Sequence, residues 1–364
     1  MKTGRSRPAL AVYAGTKARD IIRDEGLCPD NIRLLAGAAG GPKWLVLHGL
    51  DRRLPAFFAR RTQPLFTIGA SIGAWRFLCA AVGDGALERF KEAYIEQRYD
   101  RKPTQREVTE KTWRILHRLM GGTSIDQVLA HPFYRMSILT VRSRHLIRSE
   151  RKIVQGIGLI GAALANLARR AWLKHFFERA LFYDKRDIPP FFKMNDFPTE
   201  TVSLSPANLL QAIVASGSIP LVMQGIANIP GATPGIYFDG GTVDYHLDID
   251  YIARDDDRGL VLYPHYTDRI IPGWLDKQLA WRTPLPERTE TLVLLAPSRE
   301  FVQALPYGKI PDRNDFTRFF RRDSERIAYW RKTVAESERL GEEFFESVET
   351  GAIKQMLRSF PWHR

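Results

Sequence analysis

The sequence predicts an α/β fold in which a mostly parallel sheet is covered by helices. Two strand–turn–helix units follow one another in the first third of the chain, and glycines crowd both turns. Such a succession is typical of parallel strands that are joined by helices. A basic middle segment and an aromatic-rich end add a helical insertion and a helical C-terminal tail to this prediction.

Each unit ends a strand in glycines at the point where a helix starts. In the first unit, residues 31–36 form a short apolar run that predicts a buried strand, and residues 37–41 form the glycine-rich turn. The second unit has a predicted strand at residues 64–68, followed by the turn Gly-Ala-Ser-Ile-Gly at residues 69–73. A small, apolar helix is predicted at residues 72–82.

The rest of the chain continues the pattern less regularly. Residues 85–150 look helical and polar, and residues 314–360 repeat large apolar side chains at helical spacings, which is typical of a packed helix. The sequence also predicts a helix at residues 209–215 and strands at residues 235–238, 259–263 and 291–296.

The composition favours a reducing compartment. The only cysteines, Cys28 and Cys79, lie alone in their segments, which argues against a disulfide framework or a cysteine-based zinc site. The basic residues 1–7 precede an apolar stretch that Lys17 interrupts too early for a secretory signal. We therefore expect a cytoplasmic protein, and nothing in the sequence calls for a metal or a cofactor.

The positive charge is concentrated in one part of the chain. The whole sequence has 54 Lys and Arg against 41 Asp and Glu, and residues 101–190 alone have 18 against 7. A balance of +11 in this segment favours an anionic partner, either nucleic acid or a membrane rich in acidic lipid, although a solvated face without a partner is also compatible with it. No nucleic-acid-binding motif accompanies the charge, so we expect no nucleic acid.

Ser71 lies in the only GxSxG pattern of the chain, at residues 69–73. After a strand, this pattern makes a sharp elbow that exposes the serine hydroxyl at the start of a helix. The helix N-terminus favours the negative charge that develops when a serine attacks a carbonyl group. The pattern predicts a nucleophile, and a glycine-rich turn with a passive serine is the alternative.

Two other turns complete a candidate site. Backbone N–H groups of the loop Ala-Ala-Gly-Gly-Pro-Lys at residues 38–43 could bind an oxyanion. A phosphate-binding loop or plain helix–strand packing would use the same glycines, but the full GxxxxGK[ST] pattern is absent. Asp239 begins an Asp-Gly-Gly turn directly after a predicted strand, where it is either a general base for Ser71 or an ordinary turn residue.

In this order the three motifs resemble those of the patatin-like phospholipase family. Residues 215–220, Ala-Ser-Gly-Ser-Ile-Pro, are similar to the segment that precedes the Asp-Gly-Gly of that family. The resemblance covers roughly residues 31–82 and 205–245. It implies a patatin-like acyl hydrolase domain at residues 1–300, with a basic helical insertion at about 85–200, and a helical appendage at 301–364.

The resemblance also implies an activity, the hydrolysis of acyl esters in phospholipids or neutral lipids through an acyl-enzyme. Carried over, Ser71 is the nucleophile and Asp239 the base of a dyad without histidine. Gly40 and Gly41 are then the oxyanion-hole positions, and Lys43 is the basic position of the loop.

The loop departs from the pattern of the family, which usually reads Gly-Gly-Gly-x-Lys/Arg-Gly. Ala39 replaces the first glycine and Trp44 the last, and Pro42 has no N–H to donate. Gly41 is therefore the best single choice for an oxyanion donor. The altered loop also keeps open a catalytically silent module of the same fold that only binds membrane lipid.

A Ser-His-Asp esterase of the α/β-hydrolase type is the nearest rival, because its residues follow the chain order serine, acid, histidine. His246 and His265 lie late enough in the chain to serve, with Asp239 or Asp244 as the acid. Neither histidine lies in a motif that singles it out, so the dyad is favoured.

Residues 153–168 form a long apolar run with only two polar side chains. Sixteen helical residues span ~24 Å, which is short of the ~30 Å hydrocarbon core of a bilayer. The run is therefore either a core helix or a lid that lies at a lipid interface. In the second case, we expect Arg169, Arg170 and Lys174 to contact acidic headgroups on the inner face of a membrane.

Overall fold

A mixed sheet organises the computed structural model, which describes residues 8–83, 85–252 and 259–362. The basic start, residues 1–7, lies outside the described residues. The strands are β1 (Leu10–Ala14), β2 (Ile32–Gly37), β3 (Leu65–Ala70), β4 (Tyr134–Ser143), β5 (Phe177–Tyr183), β6 (Thr199–Ser203), β7 (Ile226–Ala227), β8 (Ile236–Asp239), β9 (Leu260–Pro264), β10 (Leu292–Pro297) and β11 (Leu357–Arg358). The helices are α1 (Thr16–Glu25), α2 (His48–Phe57), α3 (Ile72–Val82), α4 (Ala86–Ile95), α5 (Gln105–Met120), α6 (Ile125–Leu129), α7 (Lys152–Ala168), α8 (Leu209–Gly217), α9 (Arg299–Ala304), α10 (Asn314–Arg318), α11 (Asp323–Glu349) and α12 (Ile353–Met356).

The predicted fold class is confirmed. The strands follow the order β11-β1-β10-β9-β2-β3-β4-β5-β6, and β10, β9, β2, β3 and β4 are parallel. Antiparallel pairs occur where β1 meets β10 and where β4 meets β5. Every residue of β3 and β10 is buried, as expected for central strands with helices on both faces.

Strand β4 positions two other strands end to end along one of its edges. Ala70, the last residue of β3, lies opposite Leu139 of β4, and Asp239, the last residue of β8, lies opposite Thr140. Strand β5 occupies the other edge of β4. The chain segments that follow β3 and β8 therefore start from neighbouring positions, although they are far apart in sequence.

The prediction that residues 85–150 are helical is correct for α4, α5 and α6 and wrong for β4. The charged residues of β4 resemble those of a polar helix face. In the structure, Arg135 pairs with Asp187, and Arg142 pairs with Glu178 of the adjacent strand. These ion pairs allow arginines inside a central strand. Strand β5 was also not predicted, so the basic insertion contributes to the sheet as well as to its helical cover.

The C-terminal tail is mostly helical, as predicted, and it packs closely on the rest of the chain. The hydroxyl of Ser337 in α11 accepts a hydrogen bond from Gly49 N–H in α2, at 3.0 Å. After α12 the tail ends in β11, which was not predicted, and Leu357 pairs with Val12 of β1. The domain boundary at residue 300 stays a prediction.

Candidate active site

Ser71 lies in a strained elbow between β3 and α3. Its φ of 54° and ψ of −128° are uncommon for a residue with a side chain. Glycines two residues before and after Ser71 allow the close packing of this turn. A Cβ atom at Gly69 would lie 2.4 Å from the backbone nitrogen of Ala74, and one at Gly73 would lie 2.0 Å from the carbonyl oxygen of Gly37. The elbow therefore holds the serine at the N-terminus of α3, as the sequence predicts.

Ser216 anchors this elbow to the sheet. The N–H of Ser71 donates to the hydroxyl of Ser216 at 2.8 Å, and that hydroxyl donates to the carbonyl oxygen of Leu139 at 2.7 Å. Ser216 is fully buried near the end of α8. Residues 215–220 carry part of the family resemblance, but no local pattern predicts this bridging position for Ser216.

The side chains of Ser71 and Asp239 are in direct contact. Ser71 Oγ donates to Asp239 Oδ2 at 2.8 Å, and Asp239 Oδ1 accepts a hydrogen bond from Gly241 N–H at 2.8 Å. The two residues are 3% and 6% exposed. Burial raises the pKa of Asp239, although the charge of Arg313, 4.0 Å away, and the two hydrogen bonds act in the opposite direction.

The glycine-rich loop presents two backbone donors. The N–H of Ala39 is used internally, since it donates to the carbonyl oxygen of Tyr245 at 2.9 Å. In residues 8–83, 85–252 and 259–362, no protein acceptor takes the N–H of Gly40 or Gly41. Gly41 has a φ of 56°, and a Cβ atom at Gly40 would lie 2.5 Å from the ring of Tyr266, so both positions favour glycine.

Tyr266 fixes the orientation of this loop from behind. Its hydroxyl donates to the carbonyl oxygen of Ala39 at 2.7 Å. The C=O and N–H of a trans peptide point in opposite directions. Because the Ala39 oxygen is held by Tyr266, the N–H of Gly40 in the same peptide is directed away from that ring.

One cation lines the cleft beside Asp239, and two more lie against aromatic rings next to it. Lys43 Nζ lies 4.7 Å from the ring centroid of Tyr266, and Lys277 Nζ lies 4.2 Å from that of Tyr245. Burial raises the pKa of Tyr245, but Lys43 and Lys277 outweigh this effect and lower it overall. The third cation is Arg313, whose Nη2 atom lies 4.0 Å from Asp239 Oδ2. The cleft is lined by Ala39, Ile219, Pro220, Asp239, Gly241, Thr242, Tyr245, Trp274 and Arg313.

His246 and His265 are buried and engaged elsewhere. The Nε2 atom of His246 is 2.6 Å from the hydroxyl of Tyr266, and its Nδ1 accepts from Ile271 N–H at 3.0 Å. Burial lowers the pKa of His246 well below its usual value and that of His265 to about 3. In the described part of the chain, neither histidine is hydrogen-bonded to Ser71 or Asp239.

Asp244, the other acid that the Ser-His-Asp rival could use, is bound to an arginine. Both of its carboxylate oxygens accept hydrogen bonds from Arg179, at 2.7 and 2.6 Å. Both side chains are almost completely buried. Asp244 therefore forms a structural ion pair.

The three cations predicted to contact headgroups differ in their surroundings. Arg169 and Lys174 are exposed. Arg170 instead pairs with the fully buried Asp276 at 2.9 Å and donates to the carbonyl oxygen of Val243 at 2.7 Å. Its guanidinium group is therefore part of the protein framework.

Comparison with known proteins identifies the family. A family model of patatin-like phospholipases matches residues 46–246, more than half of the chain. The chain belongs to the patatin-like phospholipase family. The match includes Ser71 and Asp239 and begins just after the glycine-rich loop. No curated protein matches this family member.

Two solved structures are distantly similar to this patatin-like chain. One is VipD from Legionella pneumophila, with 12% identity, coverage of 72% of this chain and a TM-score of 0.32. The other is human GIVD cytosolic phospholipase A2, with 12% identity, coverage of 96% and a TM-score of 0.35. The chain spans 55% of the first protein and 66% of the second.

The described residues contain neither a membrane-spanning helix nor a cluster of metal ligands. None of their helices combines the length and hydropathy needed to cross a bilayer. Within the same residues, no group of three or more His, Cys, Asp or Glu side chains is arranged to hold a metal ion.

Proposed function

We propose that this protein is a lipid acyl-ester hydrolase that works through Ser71, Asp239 and an acyl-enzyme. The hydrogen bond from Ser71 Oγ to Asp239 Oδ2, at 2.8 Å in a strained elbow, is the observation that carries the proposal. A nucleophile in contact with a base that is itself oriented by a third group is the usual arrangement for covalent catalysis. Here the third group is the N–H of Gly241.

In the first step, Asp239 takes the proton of Ser71 as Oγ forms a bond to the carbonyl carbon of the ester. The carbonyl oxygen becomes an oxyanion, which the N–H groups of Gly40 and Gly41 stabilise. When this intermediate collapses, the bond to the alcohol oxygen breaks. Asp239 returns the proton to that oxygen, and the acyl group stays on Ser71.

In the second step, water attacks the acyl-enzyme. Asp239 takes a proton from the water as its oxygen bonds to the acyl carbon. The bond to Ser71 Oγ then breaks, the proton passes to Oγ, and the free acid leaves. No histidine is needed, which agrees with the internal partners of His246 and His265.

The environment of Asp239 suits a general base. A carboxylate with its ordinary pKa is a weak base, and burial raises the pKa of Asp239. The hydrogen bond from Gly241 and the charge of Arg313 limit this rise. Asp239 must be ionised to accept the serine proton, so we expect activity to decrease as the pH falls through its pKa.

The substrate class follows from the lining of the cleft. Arg313, Ile219 and Trp274 lie in this lining, and Lys43 and Lys277 add positive charge beside it, against Tyr266 and Trp274. This combination favours a lipid with an acidic headgroup over a neutral one. We therefore propose a peripheral protein that takes its substrate from the inner face of a membrane.

Replacement of the two dyad residues tests this proposal. Ser71→Ala and Asp239→Asn should each reduce hydrolysis of a short, soluble ester by on the order of 10⁴-fold. Ser203→Ala, at an exposed serine of β6, is the matched control and should keep the wild-type rate. Thermal unfolding of each variant checks that the fold is intact.

The outcomes separate the proposal from its alternatives. If Ser71→Ala keeps more than a trace of activity, Ser71 is not the nucleophile. If the wild-type protein turns over no ester but still binds lipid, the catalytically silent module is the correct description. A large loss in His265→Gln, with stability unchanged, would support the Ser-His-Asp rival.

A further inference from the structure

Helix α7 carries a stripe of exposed apolar side chains. Each is between 53% and 80% exposed, although large aliphatic residues are usually buried. The stripe consists of Ile153, Ile157, Ile160, Leu164 and Leu167. At about 100° per residue these five positions lie within an arc of about 80° on the helix. They therefore form one continuous face.

The opposite face of α7 is packed into the protein. Gln155, Leu159, Ala162 and Asn166 are buried, and Leu159 and Ala162 belong to a small core with residues of β4, β5 and β8. The side chain of Gln155 donates to the carbonyl oxygen of Ile147 at 3.0 Å. The helix is thus fixed in one orientation, and its apolar stripe faces outward.

Basic residues border both ends of the stripe, and two exposed tryptophans lie near its C-terminal end. Arg148, Arg151 and Lys152 lie at its start, and Glu150 is the acidic residue among them. Arg169 and Lys174 lie beyond its end, close in sequence to Trp172, which is 46% exposed. Trp281, 68% exposed, precedes Arg282, which donates to Asn166 in the last turn of α7.

We propose that this stripe with its basic border, the α7 surface, docks the protein on a bilayer that contains acidic lipid. Apolar side chains would enter the outer part of the bilayer, and the cations would meet the headgroups. Exposed tryptophans next to such a face favour the boundary between headgroups and acyl chains. A second copy of the chain would bring the same basic border against itself, so charge favours the bilayer.

The length of α7 determines how it would lie. The helix has 17 residues, which corresponds to ~26 Å at 1.5 Å per residue. It is therefore shorter than the hydrocarbon core, and its buried face holds it against the protein. Both facts favour a helix that lies parallel to the membrane surface.

The buried face of α7, behind the stripe, adjoins the candidate active site. Gln155 Oε1 accepts a hydrogen bond from Leu221 N–H at 2.7 Å, next to Ile219 and Pro220 in the cleft lining. At the other end, Asn166 donates to Asp276 at 2.7 Å, two residues after Trp274 of the lining. Docking through the stripe would therefore hold the segments that line the cleft directly behind the docked helix, an advantage that rests on the proposed function.

Vesicle co-sedimentation in the Ser71→Ala background tests docking independently of hydrolysis. The vesicles contain equal parts of phosphatidylglycerol and phosphatidylcholine. Ile157→Ser combined with Ile160→Ser should weaken binding by on the order of a hundredfold, because two exposed aliphatic side chains no longer enter the bilayer. Arg169→Gln combined with Lys174→Gln should weaken it by about thirtyfold.

Matched controls lie at the opposite end of strands β3 to β5 from α7, after the end of β5 and before the start of β3. Ile188→Ser removes an isoleucine that is 71% exposed. Arg60→Gln combined with Lys185→Gln removes two exposed charges. Both controls should bind like the Ser71→Ala parent, and thermal unfolding should show that all variants are folded.

Several results would overturn the docking proposal. Wild-type-like sedimentation of the α7 variants would show that this face does not contact the bilayer. Equal binding to pure phosphatidylcholine, or binding that is insensitive to salt, would contradict the contribution of the cations. A dimer in analytical ultracentrifugation that Ile157→Ser dissociates would mean that a second copy covers the stripe. These assays measure binding and oligomeric state, so the absence of ester hydrolysis in Ser71→Ala does not affect their interpretation.

Discussion

Helices α3 and α7 are both apolar and both contain glycine, yet their environments are opposite. Nearly every residue of α3 is buried, and the candidate nucleophile directly precedes its first turn. Helix α7 buries one face and exposes its isoleucines. Apolar composition alone therefore does not tell whether a helix is surrounded by protein, because the neighbouring elements decide which faces are covered.

One glycine of each helix shows the same difference between a covered and an open face. In α3, Gly73 is in contact with the backbone of Gly37, so a side chain has no space there. In α7, a Cβ atom at Gly156 would meet nothing within 4 Å. The first glycine is required by a close approach of two backbones, and the second has open space beside it.

The largest effect that we expect concerns Gly73. In Gly73→Ala the new methyl group would lie 2.0 Å from the carbonyl oxygen of Gly37, so β2 and α3 must separate. The free energy of unfolding should decrease by about 3 kcal/mol or more, and ester hydrolysis should be lost. Urea unfolding measures the first effect, and a loss below ~1 kcal/mol would contradict the close contact.

A smaller loss is expected at the loop that faces α3. Tyr266→Phe removes the hydroxyl that holds the Ala39 carbonyl, so the N–H of Gly40 is less well oriented. kcat should decrease by about tenfold, less than the 10²–10³ that follows complete loss of an oxyanion donor. KM should change little, since no substrate contact is removed.

Tyr263→Phe is the matched control for this change. Tyr263 is fully buried on β9, and in the described part of the chain its hydroxyl has no hydrogen-bond partner. Its removal should therefore leave kcat close to wild type. Equal losses in the two variants would show that the effect of Tyr266 comes from packing alone.

Arg313 should change the pH dependence of activity. Its charge lowers the pKa of Asp239 and partly offsets the rise caused by burial. In Arg313→Gln that pKa should rise further, so the acid limb of the kcat/KM profile should move to higher pH. Arg318→Gln, which removes an exposed charge that stacks on Tyr307, should leave the limb in place. An unchanged limb in Arg313→Gln would mean that Asp239 is not the titrating base.

The smallest effect is expected in α7, with the opposite sign to that of Gly73. Gly156→Ala adds a methyl group in open space and reduces the flexibility of the unfolded chain. The free energy of unfolding should increase by about 0.5–1 kcal/mol. Urea unfolding measures this gain, and a loss of stability would mean that α7 packs more closely than the structure indicates.

Local patterns made the active-site side of the fold predictable. The elbow at residues 69–73 and the turn at Asp239 carry their own glycines, so their conformation can be inferred from a few adjacent residues. The contact between them depends on pairing with β4, whose sequence resembles a polar helix. The family resemblance predicted that Ser71 and Asp239 act together, which local patterns could not.

Other features depend on partners that are distant in sequence. Arg169 and Arg170 are adjacent in the same basic segment, and the sequence does not distinguish them. Only the fold shows that Arg170 pairs with Asp276. Ser216 and Tyr266 support the elbow and the loop through single hydrogen bonds. Neither lies in a pattern that identifies its partner, so spacing alone could not assign them a position at the site.

The most direct test of the account is the reaction of the wild-type protein with a fluorophosphonate, followed by identification of the modified residue by mass spectrometry. The proposed dyad predicts a single adduct on Ser71, formed much more slowly in Asp239→Asn, because the carboxylate contacts Ser71 Oγ at 2.8 Å. An adduct on another residue, or none on the folded protein, would contradict the assignment of Ser71 as the nucleophile.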